Sequence, residues 1–461
     1  MTFTGGTGGG TERAARRERA VAAAVARGLV GPDAPIIGLL DVAGIRSGAA
    51  ALRAAFAAVT DAPVLHAFAV KATPLVPVLR LLHEAGIGAE VASPGELALA
   101  RAAGVRPTHT VLDSPAKTPA ELREALALGI AVNADNPQEL ARIDALISSA
   151  ATLPHGPKGM GGAPMPLGLR VNAQVGAGSI EALSTATETS KFGVALRDEG
   201  ARQWVVDACR ARPWLTRLHT HSGSQGVPLE LMARGVRAVY ELAEEINAAV
   251  GRPQIDTVDI GGGLPVNFAS EADEPTYEEY ARVLKEQVPG LLDGRYGLVT
   301  EFGRSLLAKH GTVLARVEYA KTSGGRPIAV THAGVQVATR TVYAPEAWPL
   351  RIAAFDGAGL PKGGAPLAQD VAGPACFAGD LLAQNRALPP LAQGDHVAVL
   401  DTGAYYFAHH YGYNSLARPA VYGFAEAPDG TAVFATVRKA QSSEDIVREA
   451  GGPERDALSR L

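Results

Sequence analysis

Between about residue 50 and residue 305, short runs of β-branched and apolar residues alternate with longer stretches whose apolar positions recur at helical spacing. A chain so patterned buries its runs as neighbouring parallel strands with the helices laid over them. The runs fall at 64–70, 87–91, 110–112, 130–133, 167–172, 215–221, 255–260 and 298–301. Helical spacing occupies 74–85, 94–103, 120–128, 137–147, 229–249 and 277–288. Eight such strands with intervening helices over roughly 250 residues predict an α/β fold, a closed (β/α)8 TIM-like barrel at 50–305.

After Arg304 the pattern changes to apolar runs at 311–319, 327–331, 397–400 and 432–437 separated by Gly/Pro turns. This predicts a mainly antiparallel β domain at 306–461. Two Gly/Pro-rich segments, 154–166 in the barrel and 357–366 in the β domain, read as surface loops. Residues 1–12 read as a disordered Gly-rich tail. Residues 13–49 begin with an alanine-rich amphipathic helix and are expected to pack on the β domain. Arg13, Arg16, Arg17 and Arg19 before the run Val21 to Ala26 mimic a signal peptide, but Arg27 interrupts that run early.

A chain of 461 residues exceeds one ordinary core, in keeping with two domains. Acids and bases are mixed along it to a net charge of -4, which leaves no basic face for nucleic acid or membrane and favours a small-molecule substrate. Cys209 and Cys376 are the only cysteines, far apart and without zinc or redox spacing, as in a reduced cytoplasmic protein.

Catalytic groups of such barrels gather where the strands end. Lys71 follows the first run directly, and partial desolvation there lowers its pKa and frees an amine for Schiff-base chemistry. The competing reading is a barrel-mouth lysine in a salt bridge. Glu90 closes the second run, and Arg170 and Asn172 the fifth. The sixth ends in His219-Thr220-His221-Ser222-Gly223-Ser224. Alternation puts His219 and His221 on one face, a spacing open to a metal. No Cys or compact carboxylate cluster accompanies them, so no metal is expected and a core or stacking role is preferred. Gly261, Gly262 and Gly263 after the seventh run offer backbone N–H groups to an anion such as a phosphate. Glu301 at the eighth end is placed to keep a pyridine nitrogen protonated, with Arg304 close behind it.

On these residues the chain resembles the pyridoxal 5'-phosphate (PLP) dependent diaminopimelate, ornithine and arginine decarboxylases, which join an alanine-racemase-like barrel (fold type III) to a β domain. The likeness runs over roughly residues 40–425. It implies that Lys71 in Phe68-Ala69-Val70-Lys71-Ala72 carries the cofactor and that His221 stacks on its ring. By the same resemblance Ser224, Gly261, Gly262, Gly263 and Tyr405 of Gly403-Ala404-Tyr405 contact the phosphate. Glu301 partners the ring nitrogen, and Arg304 is the arginine that follows it. Ser190-Lys191-Phe192-Gly193 is similar to a further family segment. Cys376, between Gly373-Pro374-Ala375 and Phe377-Ala378-Gly379-Asp380, resembles the loop cysteine that enters the neighbouring subunit's site and directs protonation of the product. A homodimer with shared active sites is implied, together with a cytoplasmic amino-acid decarboxylase.

Two other readings stand beside this one. A racemase on the same fold would, by family analogy, place an arginine at the ring nitrogen, where this chain has Glu301. A non-catalytic regulatory homologue would be free to lose Lys71 or Cys376, and both are retained. Departures from the family bear on substrate. Glu90 stands where aspartate is usual, the segment Thr331 to Val337 lacks an Asp-Gly-Gly pattern, and Phe377 replaces an acidic residue that meets a distal ammonium. Arg340 is the candidate for a distal substrate carboxylate, and Phe377 and Asp380 are expected to contact substrate. Altered specificity follows from these departures.

Overall fold

The computed structural model describes residues 8–150, 166–180 and 183–461. The chain divides into two compact units, one of residues 46–266 and 274–306, the other of 1–45, 267–273 and 307–461.

The first unit is the expected barrel. Its strands are Val64–Ala69, Gly88–Val91, Thr110–Leu112, Ala131–Ala134, Leu167–Asn172, Leu215–His219, Thr257–Asp259 and Gly297–Thr300. All pair in parallel, and the first meets the last through Leu65 and Val299, which closes the ring. A short strand, Val194–Ala195, pairs with Leu167–Asn172 outside this circuit. Strands covered on both faces read as near-continuous apolar runs, and Gly88–Val91 and Leu167–Asn172 are buried at every position. Helix starts follow the local chemistry. The Ser93 side chain accepts from Glu96 N at 3.2 Å, while Thr118 and Glu121 form a reciprocal box over the first turn of Pro119–Leu128. Gly129, at φ +71°, ends that helix in the left-handed conformation.

Part of the barrel interior is polar. Asn133 Nδ2 on the fourth strand donates across the lumen to Asp259 Oδ2 on the seventh at 3.2 Å. Gly168 makes room for this, since a Cβ there would lie 2.4 Å from Asn133 Oδ1. Lys117 is fully buried and satisfied by Ser114 O at 2.6 Å, Asn133 O at 2.7 Å and Glu139 Oε2 at 3.0 Å. Breaking a buried pair of this kind costs about 3–5 kcal/mol.

The second unit is a nine-stranded sheet whose pairings are mainly antiparallel. The exceptions are Ile36–Asp41 beside Ala420–Glu426 and Arg326–Thr331 beside Leu367–Ala372. The N-terminal strand Ile36–Asp41 thus lies inside this sheet, between Ala420–Glu426 and Gly311–Ser323. Helix Gly8–Ala26 buries Ala20, Val21 and Ala24 against Ile37, Leu39, Leu314 and Phe355. Its arginines hold the segment 267–273 in this unit: Arg17 Nη2 donates to Glu271 Oε1 at 2.8 Å, and Arg13 meets Asp273 at 3.0 Å. Arg351 joins them, 2.7 Å from Glu271 and 2.9 Å from Asp401. Burial would raise the pKa of Glu271, but hydrogen bonds from Arg351 and Arg17 outweigh it and hold the group at about 2.

Residues 1–7 of the expected tail and 154–165 of the expected barrel loop lie outside the described residues. The remainder of that tail, 8–12, is the first turn of the N-terminal helix rather than an extension of the tail. Among the described residues, no helix is long and apolar enough to cross a membrane.

Candidate active site

The first barrel strand ends at Ala69, and the turn Val70–Ala72 that follows sets Lys71 beside the end of the second strand. Lys71 Nζ donates to Glu90 Oε2 at 2.6 Å, with the lysine side chain 46% exposed and the glutamate fully buried. The lysine side chain therefore reaches open space while Glu90 fixes the position of its amine. Burial raises the pKa of Glu90 even against the pull of Lys71. The salt bridge of the competing reading is thus present.

His221 lies just beyond the sixth strand and is partly exposed. Its Nδ1 accepts from Gly262 N at 3.0 Å, so a neutral ring carries its hydrogen on Nε2. Burial, then Arg170 and Lys71, hold its pKa well below the ordinary histidine range. The hydrogen bond from Gly262 fixes the orientation of the ring.

The glycine turn needs glycine. Gly261 and Gly263 adopt φ +66° and +103°, and a Cβ on Gly262 would lie 2.2 Å from Glu301 O. Two of the three N–H groups are already engaged. Gly261 N donates to Asp259 Oδ1 at 3.0 Å and Gly262 N to His221. Of the three, only Gly263 N–H meets no acceptor among the described residues. Beside the turn, Arg304 Nη2 donates to Ser224 Oγ at 3.4 Å, with Arg304 buried. One free backbone donor, a hydroxyl and a guanidinium make a phosphate-sized set of donors.

Glu301 ends the eighth strand and is buried, with Oε1 lacking a hydrogen-bond partner. Its Oε2 lies 3.5 Å from His219 Nε2, and His219 Nδ1 lies 3.4 Å from Asp113 Oδ1. Sequence reasoning denied these histidines a compact carboxylate cluster, and the structure supplies one. Acceptor atoms of Asp113, His219 and Glu301 fall within 4.8 Å of one another. Asp113 directly follows the strand Thr110–Leu112, and a carboxylate at a strand end is the signal that could have pointed to it. Arg170 Nη1 donates to the other oxygen of Asp113 at 2.9 Å, and its guanidinium lies over the Phe192 ring at 4.4 Å. This is the structural use of Ser190-Lys191-Phe192-Gly193. Burial together with Glu301 pushes Asp259 up to about 7.

The other sequence-selected residues lie in the β unit. Cys376 is exposed, its N–H donating to Asn414 Oδ1 at 2.7 Å. Asp380 is buried, and its two oxygens accept from Val335 N and Ala375 N, both at 2.7 Å, so it braces the turn that carries Cys376. Phe377 stacks on Tyr343 at 5.9 Å between centroids with 9° between planes, and meets Tyr413 edge-on at 6.0 Å. The Arg340 guanidinium lies between the rings of Trp348 at 5.2 Å and Tyr405 at 4.8 Å. Tyr405 holds φ at +75°, a strained conformation for an aromatic residue.

Residues 43–308 match the family profile described as pyridoxal-dependent decarboxylase, pyridoxal binding domain. The chain is similar to the diaminopimelate decarboxylase of Pseudomonas aeruginosa, 33% identical over 79% of this chain and 82% of that protein. It is 30% identical to the diaminopimelate decarboxylase of Zymomonas mobilis, over 84% of this chain and 85% of that protein. In fold it resembles the solved diaminopimelate decarboxylase from Helicobacter pylori complexed with L-lysine, with TM-score 0.75, 23% identity, and coverage of 91% of this chain and 97% of that one.

Proposed function

The chain belongs to the pyridoxal-dependent decarboxylases, and from that premise we propose that Lys71 anchors the cofactor in the barrel and that the enzyme decarboxylates an amino acid of altered type. It is a PLP-dependent carboxy-lyase. Bound PLP supplies the electron sink for the carbanion left when carbon dioxide departs. The observation that carries the assignment is the Lys71 side chain, 46% exposed and held 2.6 Å from a fully buried Glu90. His221 offers its neutral ring to one face of the cofactor. Gly263 N–H, Ser224 and Arg304 bind the phosphate, and Gly261 and Gly262 shape the turn around it. Glu301, buried just after the eighth strand, would accept the ring N–H. Cys376 would supply the proton that replaces the lost carboxylate, and Asp380 braces its loop.

We place the substrate's far end against Phe377. The relatives are diaminopimelate decarboxylases, and this chain keeps their scaffold with an aromatic wall of Phe377, Tyr343 and Tyr413 beside Cys376. A distal ammonium desolvated there without a carboxylate would cost several kcal/mol, worth orders of magnitude in preference. A carbon dioxide release screen over charged, neutral and aromatic amino acids is expected to show poor turnover of lysine, ornithine and meso-diaminopimelate and preference for an uncharged or differently anchored far end. Efficient turnover of meso-diaminopimelate with neutral analogues inert would restore the relatives' substrate.

The working unit we propose is a cytoplasmic homodimer, in which the exposed Cys376 serves the partner's barrel. Sedimentation at assay concentration is expected to give a dimer, with activity lost on dilution to monomers. A fully active monomer contradicts it.

A further inference from the structure

We propose that His219 is a positioning residue for Glu301: a buried imidazolium set between two carboxylates that holds the Glu301 carboxylate in place at the end of the eighth strand. This rests on the assignment of Glu301 to the ring nitrogen.

His219 is 0% exposed and sits between two carboxylates, with Nδ1 3.4 Å from Asp113 Oδ1 and Nε2 3.5 Å from Glu301 Oε2. Strand register explains the arrangement, since Arg170, His219 and Asp259 lie side by side on the fifth, sixth and seventh strands. Asp113 and Glu301, from the ends of the third and eighth strands, close on the ring. A neutral imidazole offers one donor, so it cannot donate to both carboxylates, whereas an imidazolium can. Both contacts are longer than a good hydrogen bond, and the attraction between them is mainly one of charge.

Every charged neighbour has a defined part. Burial would lower the pKa of His219, but Asp113, Glu301 and Asp259 overcome it and raise the group well above its usual value. Burial would likewise raise Asp113, but His219 and Arg170 hold it well below the carboxylate range. His221 lies near enough to feel the His219 charge and stays neutral. Glu301 has His219 as its ionic partner at Oε2 and none at Oε1. Without the imidazolium this carboxylate would be buried beside Asp113 and Asp259 with no counter-charge to hold it in place.

The test begins on the cofactor-free protein labelled with [15N]histidine, the His219 signals being identified by their loss in His219→Gln. Both ring nitrogens are expected to carry hydrogen at pH 8, and Glu301→Gln is expected to raise the acidity constant of His219 at least ~10-fold, which moves its titration to lower pH. A neutral His219 at pH 7, or a titration unmoved by Glu301→Gln, overturns the proposal without need of the His219 variant's stability. In the PLP-loaded enzyme, His219→Gln should lower kcat roughly 10- to 100-fold, with KM and PLP affinity within about 3-fold. The pH profile of its kcat should also shift from that of the wild type. An unmoved profile contradicts positioning. Failure of PLP to bind at Lys71 would instead defeat the functional assignment, whatever the charge of His219.

Discussion

Replacing Lys71 by alanine is expected to reduce carbon dioxide release by at least ~10³-fold at saturating PLP and substrate. The size follows from two roles lost together, the covalent anchor and an amine poised at the reacting carbon. The fold should survive, because the Lys71 side chain is 46% exposed and the change opens no large cavity. Its ionic partner Glu90 already has a raised pKa from burial and would take up a proton once the ammonium is gone. Near-wild-type unfolding with abolished turnover is therefore the expected pair of results. Turnover within about 10-fold of wild type would remove Lys71 from the chemistry.

The second large effect is expected from Glu301→Ala, which should lower kcat ~10²- to 10³-fold while changing PLP affinity by less than about 5-fold. The asymmetry is the informative part. Charge opposite a ring nitrogen matters most when the ring accepts electrons, so its loss raises the barrier more than it weakens binding. On the proposed roles, phosphate binding by Gly263, Ser224 and Arg304 and stacking by His221 would remain. Comparable losses in kcat and affinity would make Glu301 a structural group. A racemase would gain little from a carboxylate here, so the same variant separates the two chemistries.

The barrel was legible because its strands are buried on both faces. Apolar runs bounded by polar residues then mark each strand within a few residues, as with Leu167–Asn172 and Thr110–Leu112. The sheet of the β unit was less legible. Ile36–Asp41 pairs with Gly311–Ser323 and Ala420–Glu426, partners so remote in sequence that no local pattern announces them. The helix Ala201–Ala211 also went unread, because it begins after Gly200 without a side-chain cap and so carries no start signal.

Lys71, His221 and Glu301 stood out in the sequence because each comes soon after a strand, and the structure puts all three at barrel strand ends. The cluster of Asp113, His219 and Glu301 did not stand out, because its members come from the third, sixth and eighth strands and meet only when the ring closes. The glycine turn shows the same limit. Sequence reveals that three glycines permit a tight turn, but not that Asp259 and His221 already occupy two of their N–H groups.

The central claim is that Lys71 carries the cofactor, and borohydride reduction of the PLP-loaded protein tests it most directly. After proteolysis, mass spectrometry is expected to find one pyridoxyl-modified peptide, carrying the mark on Lys71, and none in Lys71→Ala. A mark on another lysine such as Lys191 or Lys309, or no covalent mark on a protein saturated with PLP, would contradict the account.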